Sequence, residues 1–575
     1  MDKSNKPAVF NDHLNWYHSS LNSVSDSANM LYTYNHVIHG FATGLSQKEA
    51  ELLKKQPGVV SAIHQIRYEL HTSRRPKFLG LSNMTPFLSG SDKLSDLVIG
   101  VLDTGVWPHS LSYQDEGISP IPRSWKGECE AILLIRNWNR NRLSTTTATE
   151  LTPRPSGRAV SGASFLGYAT GTATGMASGA RIATYKVCWL NGCFGADVIA
   201  AVDKAIEDGV HILSMSLGGG LPDYFEDNIA IATTAHGIPV SVSAANNGPR
   251  RRSLSNVAPW MVTHGCGDNR PLGNGKVYKG VSALYNGKPL TNKLVPIFYG
   301  NNNNSIDDVF YLPAGTLNPE DVSGKIVVCI RGENSRVEKS LVVKEACGVG
   351  MIFTSEEDSY GDELVADAHF VPAGAVSLEK GNDIYHYLKS AANPTATIIQ
   401  KATKFGFQPS SIVTAFSSRG PNTRTPEILK PDVLAPGVNI LAAWTGEAGP
   451  HGLGQDKRRV SFNIKSATPL DYGAGHGDPV AALDPGLVYD ITVEDYIRFL
   501  CASNYTKEQI KTVTKRNFNR NNGKKKYSVG DLNCPSFAVP LKAASDEDGG
   551  TNRSTTVTYT RTLTNVGTSL ARYRC

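Results

Sequence analysis

Three stretches of the sequence place polar or glycine-rich residues at the ends of apolar runs, where a site for chemistry is expected. Asp103 directly follows the apolar run Leu97–Leu102 and opens a D-T-G stretch. Ser214–Gly220 (SMSLGGG) and Ser243–Pro249 (SAANNGP) end two further runs. Ligands bind at the carboxyl ends of the strands in an open parallel sheet, so we expect the three stretches to meet at one edge.

The residue types in these stretches leave several roles open. A carboxylate at Asp103 could orient a histidine, bind a metal or cap the turn that follows. Asn246 could aim its side-chain amide at a developing oxyanion or simply form a turn. The glycine-rich stretch lets an extended peptide approach the backbone closely. The peptide-binding candidates within it are Ser214, Ser216, Leu217 and Gly218.

The surrounding elements predict an α/β fold with a parallel sheet. Four apolar runs are typical of strands buried on both faces, at Leu97–Leu102, Arg181–Val187, Ile212–Leu217 and Ile238–Val242. Residues 196–209 carry apolar positions on one helical face, and Gly209 ends that helix. Strands that alternate with helices indicate a parallel sheet covered by helices.

Three further units flank or interrupt this core. The front unit is α+β, with strands at Leu31–Leu45 and Val59–Ile66 and a capping box at Ser46–Glu49 that opens a helix. A second α/β block, with strands at Lys325–Cys329 and Val349–Phe353 and a helix between them, is inserted before the core resumes at Ile412. Thr- and Val-rich segments after Tyr527 predict the start of an all-β module.

Composition excludes some classes of protein. No apolar run approaches the roughly 20 residues of a membrane helix, and we expect no membrane partner. The chain has 58 Lys and Arg residues against 52 Asp and Glu residues, which is only a small basic excess. The basic run Lys515–Lys526 lacks interleaved aromatics, which favours a solvated loop over nucleic-acid binding. The polar N-terminus has no apolar segment of the signal-peptide type.

Cysteine and asparagine patterns bear on the compartment without deciding it. Nine cysteines leave at least one thiol over, and Cys188 and Cys193 could close a small loop or remain buried thiols. Four glycosylation sequons would be used only on the secretory route, at Asn83, Asn303, Asn504 and Asn552. We expect no cofactor and no metal.

Long ordered stretches resemble the plant subtilisin-like serine proteases, the subtilases of peptidase family S8. They cover most of the chain, at Gly100–Pro108 (GVLDTGVWP), Tyr185–Trp189 (YKVCW), Leu213–Gly219 (LSMSLGG), Leu254–Trp260 (LSNVAPW), Ala415–Asn422 (AFSSRGPN), Leu429–Trp444 (LKPDVLAPGVNILAAW) and Asp471–His476 (DYGAGH). The front unit also resembles the family, in HGFATGLSQKEAELLKKQPGVVS.

The resemblance implies a domain order and a set of partners. It implies an inhibitor-I9-like pro-segment at 1–72 and a subtilisin-like catalytic domain at 90–285 and 410–500. It also implies a protease-associated insertion at 290–405 and a partial fibronectin-III-like domain at 527–575. The expected junction after the pro-segment is His71–Thr72. The expected partners are a peptide or protein substrate and the chain's own pro-segment as inhibitor. The expected location is extracellular, in the cell wall or apoplast.

The resemblance also assigns the site residues. Asp103 matches the acid of an Asp-His-Ser triad, and Asn246 matches the oxyanion asparagine, although the usual S-A-G-N reads S-A-A-N here. The stretch Leu213–Gly219 looks like the strand that pairs with the substrate backbone.

The histidine and serine segments of the family are absent from this sequence. No histidine occurs from Ser110 to Val210, and residues 131–151 do not resemble the family. The expected G-T-S-M-x-C-P-H should follow residues 462–464, but a gap-free registration puts Pro469 at the nucleophile position. His109 reads as a surface residue, and His264 and His451 are expected in loops, so no replacement triad is defensible.

The sequence therefore predicts a serine endopeptidase by family that is inactive as written, since both base and nucleophile are missing. Three alternatives remain open. The chain is an active protease represented by a faulty gene model, a non-catalytic peptide- or protein-binding protein, or a pseudogene product that does not fold.

Overall fold

The structure is a computed structural model of the 575-residue chain. It describes residues 1, 6–65, 67–70, 96–106, 110–113, 122–127, 149–156, 159–165, 168–189, 192–234, 237–268, 285, 290, 294–299, 312, 315–330, 334–354, 367, 369–376, 378–399, 412–437, 468–479, 481–517, 527–540 and 556–567.

The N-terminal unit contains two helices, a hairpin and one separate strand. Its elements are α1 (His13–Asn22), β1 (Met30–Tyr34), β2 (Gly40–Thr43), α2 (Gln47–Lys54) and β3 (Arg67–Leu70). The predicted capping box is confirmed, since the backbone N–H of Ser46 donates to Glu49 Oε2 at 2.8 Å. The predicted strand at Val59–Ile66 is wrong for residues 59–65, because strand pairing starts only at Arg67, where partners from the next unit are reached.

The central unit holds the largest sheet in the described part of the chain. Its elements up to the insertion are β4 (Val98–Asp103), a 3-10 turn (Leu111–Tyr113), β5 (Thr149–Ser156), β6 (Val160–Phe165), β7 (Tyr168–Ala173), β8 (Ala177–Lys186), β9 (Cys188–Trp189), β10 (Gly192–Phe194), α3 (Gly195–Asp208), β11 (Ile212–Met215), β12 (Leu217–Gly218), α4 (Asn228–Thr233), β13 (Val240–Ser243) and β14 (Val262–Asp268). β6 and β7 form a separate hairpin. Cys188 and Cys193 are joined by a disulfide, which decides between the two alternatives left open for them.

After the insertion the chain returns to the same sheet through β20 (Ile412–Val413) and β21 (Val433–Pro436). The strand order is β20-β14-β13-β11-β4-β8-β5, with β21 also paired to β14. The pairings from β8 through β14 to β21 are parallel, and only β5 and β20 run antiparallel. The predicted parallel sheet is therefore confirmed, with antiparallel additions at its margins.

The inserted block has its own sheet and its own core. Its elements are β15 (Val295–Phe298), α5 (Pro319–Val322), β16 (Ile326–Ile330), α6 (Arg336–Glu345), β17 (Gly350–Thr354), β18 (Ala373–Ala375), α7 (Leu378–Ser390) and β19 (Thr395–Ala396). The strand order is β18-β17-β16-β15-β19. Buried side chains such as Val327, Val343 and Met351 pack inside it, separately from the main core. The two predicted strands and the helix between them are confirmed.

The C-terminal part combines three helices with two short strands among the residues that the structure describes. It contains α8 (Pro469–Tyr472), a 3-10 turn (Ala481–Leu483), β22 (Leu487–Val488), α9 (Val493–Ala502), α10 (Lys507–Thr514), a second 3-10 turn (Val529–Asp531) and β23 (Thr564–Asn565). β23 pairs with β22. Within residues 527–540 and 556–567 it is the one strand, so the predicted all-β module stays a prediction. No helix in the described ranges has the length and apolar character needed to cross a membrane.

The N-terminal unit docks on α3 through hydrogen bonds to two aspartates. Tyr32 donates its hydroxyl to Asp197 Oδ1 at 2.6 Å. The buried Asp203 carboxylate accepts the backbone N–H groups of three consecutive residues, at 3.2 Å from Asn35, 2.7 Å from His36 and also from Val37. A carboxylate that accepts several N–H groups is a strong anchor, because each bond is charge-assisted.

We expect Asp203→Ala to destabilise the docked unit by about 2 kcal/mol or more, because hydrogen bonds to a charged group contribute roughly 1.5–3 kcal/mol each. Urea unfolding and limited proteolysis of residues 1–70 would measure this. Glu207→Ala is the matched control, since Glu207 lies on the same helix and pairs with Lys204 of that helix at 3.1 Å. Equal effects of the two substitutions would contradict the anchoring role.

Candidate active site

The three predicted stretches meet at the carboxyl edge of the central sheet. Leu102 of β4 is in register with Met215 of β11, and Met215 is in register with Val242 of β13. The next residue on each strand therefore emerges at the same level: Asp103, Ser216 and Ser243. Neighbouring strands lie roughly 4.8 Å apart, so the three positions span about 10 Å.

Asp103 sits at the end of β4 with its carboxylate turned to the next residue. Its Oδ1 accepts the backbone N–H of Thr104 at 2.7 Å. Burial raises the pKa of Asp103, and the Thr104 hydrogen bonds and the nearby Lys186 ammonium oppose that rise. A partly buried carboxylate at a strand end suits either the role of a triad acid or that of a turn cap.

Lys186 connects the turn after Asp103 to the hairpin of β9 and β10, which is closed by the Cys188–Cys193 disulfide. We call this the disulfide-closed hairpin. Lys186 lies opposite Asp103 on the adjacent strand β8. Its ammonium donates to the carbonyl of Thr104 at 2.6 Å and to that of Cys188 at 3.0 Å, and it lies 4.7 Å from the ring centroid of Trp189. The pKa of Lys186 is lowered by burial, and the nearby Asp103 carboxylate opposes part of that shift. Lys186 was contained in the YKVCW stretch, but its role depends on contacts that the sequence does not specify.

Asn246 lies on the loop directly after β13 and is itself exposed, whereas Ala244 and Ala245 before it are buried. The preceding residue, Ala245, has φ 83°, in the left-handed region that favours glycine. The loop is held by Ser418, whose backbone N–H donates to the Ala245 carbonyl at 3.0 Å and whose hydroxyl accepts the Asn247 N–H at 3.0 Å. The S-A-A-N variation therefore puts a side chain where the backbone geometry suits glycine.

The predicted peptide-binding strand is occupied by the end of the N-terminal unit. Leu217 and Gly218 form β12 and pair antiparallel with Leu70 and Glu69 of β3. On its other side, β3 pairs antiparallel with β10 of the disulfide-closed hairpin. The tail of the N-terminal unit thus lies as a middle strand between two edges of the central unit.

The remaining predicted site residues lie on β11, between β11 and β12, or directly after β3. Ser216 connects β11 to β12, whereas Ser214 lies inside β11 and its backbone belongs to the parallel sheet. His71 and Thr72 immediately follow β3 and lie outside the described residues.

Of the three histidines considered as replacements for a triad base, only His264 is among the described residues. His264 is not in a loop as expected but in β14, in register with Ser243. It lies three strands from Asp103, roughly 14 Å at 4.8 Å per strand. Its Nε2 is 3.1 Å from the Ser241 hydroxyl, and burial lowers its pKa. Pro469, which the gap-free registration of the sequence predicts at the nucleophile position, is the first residue of α8. His109 and His451 lie outside the described residues.

The described part of the chain contains no cluster of side chains suited to binding a metal ion. No group of three or more His, Cys, Asp or Glu side chains there could hold a metal ion. Sequence reasoning missed Ser255 and Asn256, whose side chains donate to the carbonyl groups of Gly219, directly after β12, and of Leu217 in β12. Both lie in the LSNVAPW stretch, which gave the resemblance but no role.

We expect Ala245→Gly to stabilise the protein by about 1 kcal/mol, because a left-handed conformation costs roughly 1–2 kcal/mol for a residue with a Cβ. Thermal or urea unfolding would measure it. Ala244→Gly is the matched control, since Ala244 is also buried but is not among the positive-φ residues. We expect this control to destabilise by about 0.5–1 kcal/mol. A destabilising Ala245→Gly would refute the assignment of backbone strain.

Comparison with known proteins assigns the two main units. Residues 1–71 match the peptidase inhibitor I9 family, and residues 95–469 match the subtilase family. A solved subtilisin-like protease, Apa1 from the Antarctic psychrotroph Pseudoalteromonas sp. AS-11, is 14% identical with a TM-score of 0.23 over 59% of this chain and 82% of that chain, which is too low to carry an argument.

Two Arabidopsis thaliana proteins match along nearly the whole chain. Subtilisin-like protease SBT1.7 is 47% identical over 661 residues, covering 99% of this chain and 86% of that protein. Subtilisin-like protease SBT1.3 is 39% identical over 681 residues, covering 100% and 86%. With an I9 pro-segment in front of a subtilisin-like parallel sheet, the chain belongs to the plant subtilases, a family of serine endopeptidases.

Proposed function

We propose that this chain holds extended peptide, including its own pro-segment tail, in the subtilase cleft without hydrolysing it. The observation that carries the proposal is the pairing of β3 between β12 and β10, one residue before the His71–Thr72 junction. Main-chain pairing of this kind binds an extended segment largely independently of its sequence. The pro-segment thereby acts as an intramolecular inhibitor that covers the peptide-binding strand.

The absence of hydrolysis is supported by what the sequence lacks. The match to SBT1.7 runs over 661 residues, which exceeds the 575 residues of this chain by 86, so at least that many aligned positions face gaps here. The histidine-free stretch from Ser110 to Val210 and the proline at position 469 lie where the base and the nucleophile belong in the family. Asp103 and Asn246 are proposed as the surviving members of the site.

The domain assignment beyond the two matched families is part of the proposal. The separate sheet and core of the inserted block support a protease-associated domain at 290–405. The pro-segment at 1–72, the catalytic segments at 90–285 and 410–500 and a partial fibronectin-III-like domain at 527–575 complete it. We also propose a secreted glycoprotein of the cell wall or apoplast. The disulfide and the exposed sequon asparagine Asn504 support that location.

Purified full chain is expected to give no turnover of a fluorogenic peptide and no labelling by a fluorophosphonate, because neither nucleophile nor base is present. The control is the same preparation melted thermally, since a cooperative transition excludes the non-folding alternative. Turnover that the fluorophosphonate abolishes would refute the proposal.

The chain is also expected to keep its pro-segment when it is expressed without other proteases, because removal by self-cleavage needs the missing groups. Intact mass and N-terminal sequencing would measure this. A mature N-terminus at Thr72 in such a preparation would contradict the proposal.

A faulty gene model is the second candidate, favoured by the abrupt changes near residues 128–156 and 464–470. Translating the genomic DNA around these codons in all frames would test it. G-H-G-T-H and G-T-S-M blocks found there would return the chain to the active proteases.

A further inference from the structure

The peptide-binding strand β12 is held from behind by three side chains, those of Asn256, Ser255 and Ser243, the last through its hydroxyl, which donates to the Leu217 carbonyl at 3.3 Å. Asn256 donates its side-chain amide to the Leu217 carbonyl at 2.8 Å. Ser255 donates its hydroxyl to the Gly219 carbonyl at 2.6 Å. Carbonyl groups two residues apart along a strand point the same way. The opposite edge, which carries the backbone groups of Gly218, is therefore left to the pro-segment tail.

The same amide connects this strand to the loop of Asn246. Asn256 also donates to the carbonyl of Ser243, the last residue of β13, at 2.8 Å. The backbone N–H of Ser255 donates to the Ala244 carbonyl at 3.1 Å. One buried side chain thus contacts both the strand that binds peptide backbone and the strand end from which the oxyanion candidate emerges.

The position of Asn256 suits asparagine for two separate reasons. Its φ is 56°, in the left-handed region that asparagine tolerates better than most side chains. Asn256 is only 3% exposed, and its backbone carbonyl accepts a hydrogen bond from the Thr263 hydroxyl at 2.7 Å. A residue fixed by backbone conformation and by three hydrogen bonds provides a rigid support for β12.

We infer that Asn256 and Ser255 are positioning residues that fix the peptide-binding strand relative to the loop of Asn246. This inference rests on the proposed function, because it takes β12 as the strand that binds extended peptide. Without the Asn256 amide, the Leu217 carbonyl keeps the 3.3 Å bond from the Ser243 hydroxyl but loses its shorter donor, and the amide bridge between β12 and the Ser243 carbonyl is lost. Pairing between β12 and β3 then weakens although neither strand has changed in sequence.

Amide hydrogen exchange of the full chain, resolved by mass spectrometry, tests the inference. We compare the wild type with Asn256→Ala, Asn256→Asp and Ser255→Ala, and follow the amides of Arg67–Leu70 in β3. Asn256→Asp keeps the shape and replaces the donor by an acceptor. We expect exchange at Arg67–Leu70 to become at least about tenfold faster in both Asn256 variants and to change less in Ser255→Ala.

Two internal comparisons separate positioning from general destabilisation. Asn334→Ala is the matched control, because Asn334 donates its amide to a backbone carbonyl, that of Leu312, within the inserted block. Exchange in β4 and β8 reports global opening and is expected to stay unchanged in Ser255→Ala. This variant removes only one hydroxyl, so exchange can still be measured on a folded chain if the Asn256 variants fail to fold.

The outcomes distinguish failure of the inference from failure of the proposed function. Unprotected Arg67–Leu70 amides in the wild type would refute the docking of the tail on which the proposed function rests. Protected amides that exchange equally in wild type, Ser255→Ala and the Asn256 variants would overturn the positioning role alone. An increase that is equal in β3, β4 and β8 would also overturn it, because a general loss of stability would then explain the effect.

Discussion

Parallel pairing of β4, β11 and β13 ends three strands at one level, and the rest of the site depends on this register. A slip by one residue would turn every side chain of a strand to the opposite face. Buried and half-buried positions alternate along β4, β11 and β13, so such a slip would move the buried set out of the core. Gly100 in the middle of β4 contributes to the close approach, since a Cβ there would lie 3.0 Å from Leu213 and 3.3 Å from Val210. Asp103 and the stretches that begin at Ser216 and Ser243 are brought together as a consequence.

The tail of the N-terminal unit lies in a slot between two strand edges, the β10 wall and the β12 wall, and these are stabilised by different means. The β10 wall belongs to a hairpin closed by the Cys188–Cys193 disulfide and tied to the Asp103 turn by Lys186. The β12 wall is supported by the side chains of Ser255 and Asn256. Exposed strand edges readily pair with other chains. The pro-segment tail covers both edges, and the Asp203 anchor on α3 holds the rest of that unit nearby.

The sequence predicted elements whose signal is local. The apolar runs of β4, β8, β11 and β13, the helix α3 with Gly209 at its end and the Ser46 capping box all follow from spacing and burial. The signal was weaker where a strand depends on distant partners. Residues 59–65 resemble a strand but pair with no described strand, whereas Arg67–Leu70 pair with residues more than a hundred positions away. His264 was expected in a loop because no motif surrounds it, yet β13 and β21 enclose it in the sheet.

The sequence by itself determined the family, the α/β order of the core and Asp103 as the residue at a strand end. It also predicts that the family's histidine and serine segments are lacking. These features are written in residue type and spacing along the chain. Only the tertiary structure decided that the pro-segment tail lies between β12 and β10, that Cys188 and Cys193 are bonded, and that the Asn256 amide donates to the Leu217 carbonyl of β12. Such contacts depend on which edges meet after folding, and hydrogen bonds between remote backbone groups leave no pattern in the local sequence.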